Sequence, residues 1–117
     1  MAERINASSQ EVNPMEWYVY LAHFVAGVFL ANAVPHFVNG ISGRKFQTPF
    51  ASPPGVGESS PMVNVIWGLA NVIIGYLLLS GVGHFILRPS LDSLAVGLGV
   101  AVISLALSRH FGRLHGQ

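Results

Sequence analysis

The sequence predicts an all-α integral membrane protein with three transmembrane helices and a long Gly/Pro-rich loop between helices one and two. Three observations carry that prediction. Of the 117 residues, 51% are hydrophobic and only 9% are charged, whereas a soluble domain carries about a quarter charged residues. The apolar residues are gathered into three long blocks, 17–38, 62–82 and 91–107. At 1.5 Å per residue these blocks reach about 33, 32 and 26 Å, against a hydrocarbon core of about 30 Å. Lipid offers the backbone no hydrogen-bond partners, so each spanning block must be a helix.

The chain divides accordingly into a polar N-terminal segment (1–16), a transmembrane domain (17–110) and a short C-terminal tail (111–117). Asn13-Pro14 and the aromatic group Trp17, Tyr18 and Tyr20 mark the membrane surface, where amphipathic rings anchor a helix. Ala31-Asn32-Ala33 has the small-x-small form of a signal-peptidase site. The segment before it, however, holds Glu3, Glu11 and Glu16 against Arg4, where a secretory leader would be basic. The first block is therefore expected to stay as a span.

Between the first two helices lies the loop 40–61, with four prolines and four glycines, a composition expected to form neither helix nor sheet. Phe46 and Phe50, beside Arg44 and Lys45, are expected to dip into the interface while the cations meet lipid phosphates. Ser60 followed by Pro61 starts the second helix with a serine cap and a proline at the first helical position. Gly81-Val82-Gly83 ends it. Ser90 caps the third helix, and Asp92 suits its first turn through the helix dipole. The short connection predicts that helices two and three are antiparallel neighbours.

Charge and composition narrow the partners. The first loop and tail hold Arg44, Lys45, Arg109 and Arg113, and the other side holds Arg4 and Arg88. By the positive-inside rule the N-terminus is expected outside and the C-terminus in the cytoplasm. A net charge of +1 offers no basic face for nucleic acid. Cysteine is absent, which excludes disulfides and thiolate chemistry. Histidine and carboxylate spacing predicts no metal and no other cofactor.

Polar residues inside the spans mark the candidate site. Asn32, His36 and Asn39 follow i, i+4, i+7 and share one helix face; Asn64, Gly68, Asn71 and Gly75 repeat the spacing in the second helix. Ser93, Gly97, Ala101, Ser104 and Ser108 form a small-residue stripe on the third. Measured from the span midpoints, Asn32, Gly68 and Ser104 lie at one depth, and His36, Asn64 and Ser108 about 6 Å further towards the loop side. An ionisable residue in a span is a functional candidate, and Pro35 before His36 frees the Ala31 carbonyl and bends the helix. Gly68, Gly75 and the third-helix stripe are expected to pack helices.

Three functions follow. The leading expectation is a structural or accessory subunit of a homo-oligomer or larger membrane complex, with the lipid bilayer as its solvent. The alternative is a binding or transport protein whose inner vestibule of Asn32, His36, Asn39, Asn64 and Asn71, rimmed by Arg44, Lys45 and Arg109, takes a small anionic ligand or a lipid headgroup. The third is a His-dependent enzyme pairing His36 with Glu58, or a haem held by His36 and His110; neither pair has a fixed spacing.

Overall fold

A computed structural model describes residues 15–116; most of the expected polar segment, residues 1–14, and the last tail residue lie outside the described residues. The chain runs α1 (Trp17–Ile41), β1 (Phe46–Gln47), β2 (Glu58–Ser59), α2 (Pro61–Gly81) and α3 (Leu91–Leu114). All three helices are long and apolar enough to cross a membrane, so this is a multi-pass membrane protein. Burial is inverted relative to a soluble domain. The largest fully buried side chains are His23, Asn64, Asn71 and Thr48, while Leu69, Ile73, Leu77, Leu98 and Leu105 are exposed. Such an arrangement suits a surface solvated by lipid around a hydrogen-bonded interior.

The helix starts follow local chemistry. Ser60 Oγ accepts from Val63 N–H at 3.2 Å, with Pro61 at the first helical position, and Ser90 Oγ accepts from Ser93 N–H at 3.1 Å. α1 ends three residues beyond the apolar block. Gly43 there adopts φ +75°, and Arg44 N–H and Gly43 N–H return to the carbonyls of Asn39 and Gly40 at 2.9 and 3.0 Å. A left-handed glycine with these two returning bonds terminates the helix and satisfies its last carbonyls.

Helix order differs from the expectation. α1 packs against both α2 and α3, but α2 and α3 make no extended contact with each other. A short connection limits how far two helices can separate, but it does not choose the face each one buries. Glycine makes that choice. A Cβ on Gly27 would lie 2.2 Å from the Val96 carbonyl oxygen, and one on Gly99 would lie 2.0 Å from that of Phe24, so α1 and α3 touch backbone to backbone. Gly68 and Gly75 play the same part on α2, buried against Phe37 and Leu30 of α1. Of the small-residue stripe on α3, Gly97, Ala101, Ser104 and Ser108 are all exposed within the chain, with Ser104 and Ser108 at the open α1–α3 seam.

The loop also departs from its expected irregularity. Phe46 and Gln47 pair antiparallel with Ser59 and Glu58, a ladder too short to leave a periodic signal in sequence. α3 continues seven residues past the apolar block to Leu114, because Arg109, His110 and Arg113 lower the hydropathy without breaking the helix. Those added turns meet the loop. Phe46, expected in the lipid interface, is buried at 7% exposure, with its ring 4.6 Å from that of Phe111 and 5.6 Å from that of His36. Phe50 does stay exposed.

Candidate functional site

The site is built at the end of the bundle that carries the loop, here the loop end; the opposite end, with the 82–90 connection, is the turn end. On α1 the three polar residues of one face take different partners. Asn32 Nδ2 donates to Asn71 Oδ1 at 3.0 Å, and Asn71 Nδ2 donates to its own helix at the Trp67 carbonyl. Asn39 turns away, donating to the Pro35 carbonyl and accepting from Arg44 Nε at 2.9 Å. His36 reaches across to Asn64.

Asn64 fixes the state of that histidine. Its amide nitrogen donates towards the carbonyls of Phe46, Ser59 and Ser60 at 3.1–3.2 Å, so its Oδ1 must be the atom facing His36. The Nδ1–H of His36 therefore donates to Asn64 Oδ1 at 2.9 Å. Once Nδ1 carries the proton, the neutral ring keeps a lone pair on Nε2. The expected partner Glu58 is exposed in β2, and its place beside His36 is taken by Asn64.

Beside His36 lies a cavity of about 230 Å³, walled by Asn32, His36, Gln47, Thr48, Pro49, Gly55, Trp67, Leu107, His110 and Phe111. Its lid is tied down at several points. Thr48 Oγ1 bonds Ser59 Oγ and accepts from the Phe50 and Ala51 amides, His110 Nε2 donates to the Gly55 carbonyl at 2.7 Å, and His115 Nε2 donates to Gln47 Oε1 at 3.1 Å. Trp67 stands between Phe50 and His36, with ring centroids 4.9 and 6.4 Å away. Its indole Nε1–H is buried with no hydrogen-bond partner among the described residues. An unmet buried donor costs about 1–3 kcal/mol.

Of the expected site residues, the structure brings Asn32 and His36 to this wall, with Asn64 and Asn71 behind them as their hydrogen-bond partners. Asn39, Arg44, Lys45 and Arg109 are not part of the wall, and the three cations are exposed. His36 and His110 do share the cavity. The wall holds no carboxylate, lysine or arginine. Trp67 was the wall residue within reach of sequence reasoning, because Asn64, Trp67 and Asn71 follow i, i+3, i+7 on one face. Thr48, Gln47 and Gly55 arrive through the loop's fold and leave no spacing signal.

A second, apolar groove of about 550 Å³ runs along the α1–α3 seam between Leu30, Ala31, Val34, Pro35, Val100, Ser104, Leu107, Ser108 and Phe111. It shares Leu107 and Phe111 with the vestibule. The cavity beside His36 and the seam groove thus meet at two side chains. Comparison of the chain with protein families, curated proteins and solved structures finds no match. The fold defines the class: a three-helix, multi-pass membrane protein.

Proposed function

We propose that this protein binds a neutral, membrane-dissolved amphiphile, with its polar head in the vestibule and its apolar tail along the α1–α3 groove. The observation that carries the reading is a cavity walled by both His36, whose Nε2 keeps a lone pair, and Trp67, whose buried Nε1–H has no hydrogen-bond partner among the described residues. Trp67 offers a donor and His36 Nε2 an acceptor, so a hydroxyl, ester or amide headgroup can meet both. A wall without carboxylate, lysine or arginine disfavours an ionised head, which would be desolvated without a fixed counter-charge. The groove supplies a lateral approach from lipid, and Arg44, Lys45, Arg109 and Arg113 favour placing the loop end in the cytoplasm.

Native mass spectrometry of the protein in mild detergent, before and after Trp67→Phe, tests this reading. The substitution keeps an aromatic ring and deletes the N–H. Occupancy by a co-purifying lipid-like mass should fall about 5- to 10-fold, as expected from one hydrogen bond of about 1–1.5 kcal/mol. A chain with no bound mass, or one whose occupancy ignores both Trp67→Phe and His36→Leu, would sink the proposal. The second reading, an accessory subunit of a larger or homo-oligomeric complex, is favoured by the exposed line of Gly97, Ala101, Ser104 and Ser108 on α3.

A further inference from the structure

The turn end holds a polar centre that the vestibule does not use. His23 of α1 is completely buried. Its Nδ1 contacts Asp92 Oδ1 in the first turn of α3, and its Nε2 lies 2.5 Å from the carbonyl oxygen of Val82, the C-cap of α2. One imidazole therefore joins all three helices, including the two that barely touch. Phe85 packs edge-on to the ring at 5.5 Å.

Counting protons settles the charge of this unit. A carbonyl can only accept, so Nε2 must carry a proton. The contact between Nδ1 and the carboxyl oxygen needs a second, whichever atom it is bonded to. Imidazolium with carboxylate and imidazole with carboxylic acid are the two ways of holding them, and both are neutral overall. Neutrality is what burial at this site favours.

The unit also has a route to water. The Asp92 side chain is one-tenth exposed and lines a cleft of about 460 Å³ with Tyr20, Gly83, His84, Arg88 and Ser90. We infer that His23 and Asp92 form a proton-binding site reached through this cleft, and that the bound proton holds the turn end closed. Release of one proton to water in the cleft leaves a single proton for two contacts. Either Nε2 then faces Val82 with a lone pair, or Nδ1 faces the carboxylate with one, and one helix end is let go. His84, held at φ +41° in the left-handed region, lies in the segment that opening would relax.

The titratable and charged side chains facing the unit, among the described residues, are Tyr20 from α1, His84 and Arg88 from the connection, and Asp92 itself from α3; α2 contributes the Val82 carbonyl. The prediction has a definite sign: the closed state is the one that holds the proton, so it is kept at low pH and lost as pH rises.

Asp92→Asn supplies the test. A carboxamide N–H donates to Nδ1 of a neutral imidazole while Nε2–H keeps the Val82 bond, so both contacts survive with no proton to lose. Spin labels on cysteines introduced at the exposed Leu77 and Leu94, in phosphatidylcholine nanodiscs, report the α2–α3 distance from about pH 5 to about pH 10. The otherwise unsubstituted chain should shift reversibly to longer, broader distances as pH rises, Asp92→Asn should stay closed throughout, and His84→Gln should retain the parent profile. A flat parent profile, an Asp92→Asn profile that follows the parent, or failure of Asp92→Asn to fold would each overturn the inference, because that variant copies the protonated state.

Discussion

At the scale of single residues, Asn64 is the side chain on which most depends. It is fully buried, it orients His36, and it ties both short strands to the start of α2 through three carbonyls. Replacing it by leucine removes every one of these side-chain bonds and leaves the buried His36 Nδ1–H without its acceptor. Asn64→Leu should lower unfolding free energy in detergent by about 2–4 kcal/mol, followed by thermal or denaturant unfolding; a loss under about 1 kcal/mol would show that the network matters little. Asn64→Asp separates orientation from anchoring. A carboxylate still accepts from His36 Nδ1, yet it is set against three carbonyl oxygens, so this variant should be no more stable than the leucine one. Sequence spacing put Asn32, His36 and Asn39 on one face, but it could not tell that Asn39 spends both ends of its amide locally. That choice depends on Arg44, which the glycine-terminated end of α1 folds back within reach.

At the scale of elements, the lid is held by the polar turns of α3. His110 bonds Gly55, His115 bonds Gln47, and Phe111 packs on Phe46. These contacts join segments more than fifty residues apart, so hydropathy alone stops α3 at Leu107 and leaves the loop unattached. Two-residue strands escape notice for a related reason: alternation needs at least four positions to register. By contrast, Ser60-Pro61 and Ser90 mark helix starts with local chemistry and are legible directly. His110→Ala should raise hydrogen exchange at the Gly55 and Val56 amides about tenfold, the equivalent of about 1.4 kcal/mol of local opening, with little change at α2 amides. Equal exchange in the two proteins would mean that the lid is held by the Phe46 cluster alone.

At the scale of the whole molecule, α1 is the common partner of two helices that otherwise make no extended contact. Three apolar blocks announce three spans, but not which span lies in the middle. That was settled by glycines on particular faces, Gly27 and Gly99 at one seam and Gly68 and Gly75 at the other, and by His23, whose partner Asp92 is 69 residues away. The two seams should respond separately. Gly99→Leu places a side chain where a backbone carbonyl stands 2.0 Å from the new Cβ, so it should push α3 away while leaving α1–α2 distances unchanged. Because cysteine is absent from the chain, label pairs introduced on α1–α2 and on α1–α3 report each seam without interference. Lengthening at both seams would mean that the three helices pack as one cooperative unit.

The central place of α1 also bears on how the chain is assembled. α1 is synthesised before either of its partners, so each later helix meets a finished docking face as it enters the bilayer. Neither has to wait for the other. Assembly by successive additions to a first-made template needs all three helices together only at the His23 junction, which closes when the last of them arrives.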